Sequence, residues 1–175
     1  MRKITATLLL TLLPAWASAQ QMNLTAEITD VVGSGVYRLE TDNGRALWVA
    51  LRYIDASYGL DATCELTDDR LEQRRCDGVR DLLLGEQVEA AVDLVPMNGP
   101  RGAVYPADLS MRQMDVATIL VNAGEFRIDH TQAPPIALTR HEAHARCAFR
   151  GVWAPVATDP VEVERCRKYG SGDGL

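Results

Sequence analysis

The stretch VYRLETDNGRALWVALRYI, Val36 to Ile54, decides the fold. Val36 to Thr41 alternates apolar and polar side chains, Asp42-Asn43-Gly44 follows, and Ala46 to Ile54 forms a second strand-like run. Asn-Gly between two such runs predicts a hairpin with a type I′ turn, which needs positive φ at both central residues. Upstream, Leu24, Ala26 and Ile28 alternate in the same way, so three antiparallel strands make an opening meander. Gln87 to Val95 and Ala103 to Leu109 read as two further strands around the turn Asn98-Gly99-Pro100-Arg101-Gly102.

Helices punctuate these strands. Thr67 as a cap, Asp68 and Asp69 in a first turn and Gly85 as a stop predict a helix over Thr67 to Leu84. A short helix over Asp115 to Ala123 closes at Gly124. After Pro134 and Pro135, Thr139-Arg140-His141-Glu142 reads as a capping box, opening a helix with Leu138, Ala145, Phe149 and Val152 on one face. Asp159 as cap, Pro160, early Glu162 and Glu164, late Arg165, Arg167 and Lys168, and Gly170 beyond them spell a last short helix. Five strands with helices after the third and fifth predict the α+β class, a five-stranded OB-type β-barrel with three helices plus a short C-terminal helix.

Met1-Arg2-Lys3, an apolar run from Ala6 to Leu13 and Ala17-Ser18-Ala19 have the three parts of a secretory signal peptide, with the mature chain starting near Gln20. The apolar run is too short to span a bilayer, so a soluble, secreted or periplasmic monomer without a membrane span is expected. The 18 basic and 24 acidic residues give a net charge of -6; losing Arg2 and Lys3 leaves 16 basic residues and -8. Such a balance disfavours non-specific nucleic-acid binding, which rests on Lys and Arg contacts to phosphate. The densest positive group, Arg70, Arg74, Arg75 and Arg80, reads as a solvated helix face.

Cys64, Cys76, Cys147 and Cys166 in an exported chain read as two disulfides, with three pairings possible. The short loops favour Cys64 with Cys76 and Cys147 with Cys166, each worth about 3 kcal/mol in the chain-entropy model. The first pairing requires an unwound turn near Cys64, because a continuous helix would hold the sulfurs apart. No Cys-x-x-Cys occurs, and zinc spacings are absent.

Val116, Leu120, Val121 and Gly124, together with Glu142, Ala143, Ala145, Arg146, Gly151 and Trp153, resemble the thermonuclease (staphylococcal nuclease-like) family over roughly residues 24 to 154. With the leader and the C-terminal helix read above, the chain is expected to divide into residues 1–19 as signal peptide, 20–154 as one domain of the OB type that the resemblance implies, and 155–175 as a disulfide-stapled extension. It also implies a phosphodiesterase site in which two aspartates hold calcium, a glutamate readies water and two arginines grip phosphate.

Laid on this chain, the first aspartate becomes Gly35 in Gly33-Ser34-Gly35-Val36, and the second is Asp55 in Ile54-Asp55-Ala56-Ser57-Tyr58. Tyr58 replaces the glutamate, and a phenol with a pKa of about 10 is no base at neutral pH. The first arginine becomes Ala50, with Arg52 two positions on as a substitute on the same strand face. The second matches Arg101. The candidate site is therefore Asp55 as metal ligand with Arg101 and Arg52 as phosphate-facing catalytic residues, and no cofactor unless calcium serves an active enzyme.

Three functions remain open. The first is a catalytically degenerate domain that binds a protein, glycan or nucleic-acid fragment at the old cleft. The second is a calcium-dependent nuclease with Asp61 or Glu65 supplying the carboxylate, and the third is a structural envelope protein. His141 and His144 at helical spacing, and Tyr53, Tyr58 and Tyr105 as stacking surfaces, read as ordinary surface and packing residues.

Overall fold

A computed structural model describes residues 20–32, 35–55, 70–99 and 102–169. In chain order these form β1 (Gln21–Val32), β2 (Val36–Glu40), β3 (Ala46–Leu51), α1 (Arg70–Leu83), β4 (Gln87–Asp93), β5 (Met97–Gly99), β6 (Gly102–Met111), β7 (Met114–Asp115), α2 (Val116–Ala123), α3 (Ile136–Cys147) and α4 (Pro160–Tyr169). Short 3-10 segments lie at His130–Gln132 and Gly151–Thr158. The class is α+β, as expected.

The strands close on one another. β1 pairs antiparallel with β2 and β4, β2 with β3 and β4 with β6, and β3 meets β6 in parallel, so that β1, β2, β3, β6 and β4 make a ring of five. The period-2 pattern explains its inside: Ile28, Leu39, Val49, Val88, Val92 and Leu109 turn inward and are fully or almost fully buried. Val79 and Leu83 of α1 and Val116, Leu120 and Val121 of α2 complete that core. Tyr37 lies wholly within it, and burial pushes its phenol pKa up.

The hairpin differs from the two-residue type I′ turn. Glu40 pairs with Ala46, Gly44 N–H donates to Thr41 O at 2.8 Å and Thr41 N–H to Arg45 O at 2.9 Å. Only Gly44 within this turn has positive φ, so it is a type I turn closed by a glycine bulge. Thr41 Oγ donating to Asn43 Oδ1 at 2.7 Å favours that longer form. β3 also stops at Leu51 rather than Ile54, because Tyr53 takes φ 64° and turns the chain. The turn after β4 carries its own short strand, β5, paired with the start of β6.

α2 follows the sequence reading closely. The Asp115 carboxylate accepts from Thr118 N–H at 2.8 Å, and Gly124 ends the helix at φ 80°. α3 does not. It opens at Ile136 straight after Pro135, so Glu142 sits mid-helix and is buried rather than part of a capping box. A proline N-cap presets the entry and leaves Thr139 as an interior residue. Leu138 and Ala145 are buried as expected, whereas Phe149 has φ 51° and Val152 lies in the following 3-10 segment.

Gly124 and Gly151 interlock. Val152 N–H donates to Gly124 O at 2.9 Å, and a Cβ on Gly151 would sit 2.2 Å from that same oxygen. Only glycine fits so close a backbone approach. Beyond it, Cys147–Cys166 is bridged, with α4 beginning at Pro160 after Asp159, whose carboxylate accepts from Val161 N–H. Cys76 is disulfide-bonded too, but Cys64, like Thr67, lies outside the described residues. No helix among the described residues is long and apolar enough to cross a membrane.

Candidate functional site

The β2–β3 register brings two of the compared positions side by side. Val36 pairs with Ala50, and Leu51 N–H donates to Gly35 O at 3.0 Å. Because Val49 and Leu51 face the core, Ala50 and Trp48 face the opposite way. There Val36, Ala50 and Val104 form a second apolar cluster, only 3%, 6% and 1% exposed, with Trp48 packed against it. The position to which the resemblance assigns a guanidinium, Ala50, is thus surrounded by aliphatic carbon. Gly35 has φ 89°, and a Cβ there would touch Ile54 Cγ2 at 3.4 Å, so its backbone itself favours glycine.

Asp55 lies where the chain leaves this face. Ile54 bridges to Ile128, Asp55 N–H donates to Arg127 O at 2.9 Å and Asp129 N–H to Tyr53 O at 2.7 Å. Its carboxylate is half-buried. Gln132 adds a clamp, accepting from Tyr53 N–H through Oε1 at 3.1 Å while its amide nitrogen donates to Asp129. Hydrogen bonds from Thr131 and Gln132 hold the exposed Asp129 carboxyl below its ordinary pKa.

Among the described residues no group of three or more His, Cys, Asp or Glu is arranged to hold a metal ion. His141 and His144 lie half-buried on α3, and His144 belongs to its last turn. Arg101, Tyr58, Ser34, Asp61 and Glu65 lie outside the described residues.

Arg52 is held elsewhere than at a phosphate position. Its two terminal nitrogens contact Asp93 Oδ1 at 2.6 Å and Asp108 Oδ2 at 2.8 Å, from the end of β4 and the outer face of β6. Its side chain is 19% exposed. Two short charge-assisted contacts neutralise this guanidinium, and an incoming anion would have to displace a carboxylate to reach it. Partial burial pushes the Asp108 carboxyl above its ordinary pKa; Arg52 pulls it back, and Asp115 and Asp93 push it further up. A pocket of 270 Å³ opens beside the pair, lined by Arg52, Tyr53, Asp108, Asp115, Thr118 and Leu138 among others.

Sequence reasoning missed both carboxylates, which are 41 and 56 residues from Arg52 and carry no local signal. Glu142 was placed in a different role. Its Oε1 accepts from Ile128 N–H at 2.7 Å, and its Oε2 lies 2.8 Å from His130 Nε2. It thereby fixes the segment that pairs with Tyr53 to Asp55. No family model and no curated protein matches this chain.

Proposed function

We propose that the chain is an exported, divergent thermonuclease-like OB domain that has lost nuclease chemistry and acts by binding. The closed ring in the order β1, β2, β3, β6, β4, with its parallel β3–β6 seam and a helix between β3 and β4, supports the OB-type barrel. Two disulfide-bonded sites and the tripartite leader support export.

One observation carries the loss of chemistry: Gly35, facing Ile54 of the core, and Ala50, inside the second apolar cluster, stand where the family scheme needs a calcium ligand and a phosphate-gripping arginine. Calcium requires hard oxygen donors, and neither residue supplies a side-chain oxygen. Arg52, the substitute, spends its charge on Asp93 and Asp108. Loss of one such transition-state donor costs about 10² to 10³ in rate. The remaining function is recognition of a protein, glycan or nucleic-acid fragment at the old cleft.

Purified 20–175 chain incubated with single-stranded DNA and RNA, in calcium or in chelator, should leave both polymers intact. Calcium-dependent cleavage that disappears in Asp55→Ala or Arg101→Ala would overturn the reading in favour of a working nuclease. Calcium that raises Tm without any cleavage would place a metal site without hydrolysis, since selective binding stabilises the folded state.

A further inference from the structure

Helix α4 is attached to the body by polar and covalent links with little apolar burial. Val161 and Val163 are exposed, and among its described side chains only Glu162 and Cys166, one helical turn apart, are partly buried. Both join consecutive residues of α3. Cys166 is bridged to Cys147, and Glu162 Oε2 lies 2.6 Å from a terminal nitrogen of Arg146.

Arg146 is positioned independently of Glu162. Its guanidinium carbon lies 5.3 Å from the ring centroid of the buried Trp153, which Arg127 also approaches at 4.6 Å, a cation–π contact that helps to position it. The contact to Glu162 is close but poorly aligned: Glu162 Oε2 makes no hydrogen bond of acceptable angle. The short distance is charge contact, and the missing angle leaves the Glu162 oxygen, the acceptor, without a directed donor. Arg146 Nε, beside it on the same fork, is buried without a hydrogen-bond partner among the described residues. Glu162 therefore balances the charge of Arg146 while leaving half of a two-pronged donor unused. A carboxylate approaching in the guanidinium plane would take both prongs.

We infer that Arg146, stacked on Trp153, is a carboxylate-binding site, and that Glu162 occupies it as an internal competitor held in place by the Cys147–Cys166 disulfide. The external ligand is a peptide carboxylate, from an acidic side chain or a chain terminus. Opening requires a dithiol reductant: its two S–H groups supply two electrons and two protons and become a disulfide, while the Cys147–Cys166 bond breaks into two thiols. The Glu162–Arg146 pair is then the main side-chain link from α4 to α3 among the described residues, and a single partly exposed ion pair is a weak tether.

The test uses the 20–175 chain carrying Cys147→Ser and Cys166→Ser, which leaves the disulfide of Cys76 oxidised. Amides of α4 should exchange about a hundredfold faster than in the parent, matching the lost loop-closure effect. By fluorescence anisotropy, a labelled hexaglutamate amide or a hexa-alanine with a free C-terminus should bind at least tenfold more tightly than to the parent, and hexaglutamine amide should not bind. Which of the two peptides gains identifies the source of the carboxylate, and Arg146→Met in the open variant should abolish the gain. Unchanged α4 exchange, unchanged affinity for both carboxylate peptides, or a gain that survives Arg146→Met overturns the inference. Should the double variant fail to fold by circular dichroism, Glu162→Gln with the disulfide intact decides: Arg146 is 34% exposed, so removing the competitor must raise carboxylate-peptide affinity, and no rise sinks the idea.

Discussion

Gly151→Ala should be among the most damaging small substitutions in this chain. The new Cβ would stand 2.2 Å from Gly124 O and 2.7 Å from Gly124 C, both backbone atoms that cannot rotate away. Gly124 is itself packed on Arg150, where a Cβ would lie 2.5 Å from the carbonyl oxygen, so neither side of the contact has room to retreat. Relief requires roughly an ångström of separation between the end of α2 and the start of the 3-10 segment, which breaks the Val152 N–H to Gly124 O bond. Left-handed strain at φ 49° adds about 1 kcal/mol. Steric displacement adds about 1 to 3 kcal/mol and the lost hydrogen bond about 1 kcal/mol, giving roughly 3 to 5 kcal/mol in all. Urea unfolding measures it, with Gly44→Ala as control: Gly44 has φ 77° but no atom within 4 Å, so it isolates the strain alone at about 1 kcal/mol. If the two substitutions cost the same within about 0.5 kcal/mol, the interlock does not exist and the packing argument fails.

Glu142→Ala should cost about 2 to 3 kcal/mol in urea unfolding, because it leaves the buried Ile128 N–H without an acceptor, and a cost below that of an exposed glutamate would refute the role assigned to it. Asp108 has a folded pKa raised above its unfolded value, so its ionised form opposes folding above that pKa and the penalty disappears as pH falls through it. Asp108→Asn should therefore match or slightly exceed the parent in stability at pH 7, by less than about 1 kcal/mol given its partial exposure, with the difference gone in acid. Arg52→Met should do the opposite, losing about 2 kcal/mol at pH 7 as Asp93 and Asp108 face each other unpaired, and recovering most of it near pH 4 in thermal melts.

The elements whose signals are local were legible in the sequence. Asp115 and Gly124 bracket α2 through chemistry contained in ten residues, and strand alternation gave the meander because one face is buried. The Cys147–Cys166 pair followed from loop length. Where a local motif competed with a distant partner, the reading went astray. Thr139 to Glu142 spells a capping box, yet Pro135 starts the helix a turn earlier and Ile128, 14 residues away, claims the Glu142 carboxylate. Asn43-Gly44 is a turn signal in either hairpin type, and the side chain of Thr41 selects the longer one.

The site was less legible for the same reason, since Arg52 meets its partners across the ring and only the fold supplies them. That arrangement also bears on whether nuclease chemistry lies within easy reach of this scaffold. Ala50→Arg would push a guanidinium into a cluster of buried aliphatic side chains with no described counter-charge there, and an unpaired buried charge costs several kcal/mol. Gly35→Asp would add a side chain at φ 89° against Ile54. Each change opposes folding before any ion is bound, and total stability of a domain this size is only about 5 to 15 kcal/mol. Arg52, meanwhile, could not turn to phosphate without abandoning Asp93 and Asp108 to mutual repulsion. The buried apolar cluster and the ion-paired arginine thus act in the same direction: each raises the cost of restoring a calcium and phosphate site on this scaffold.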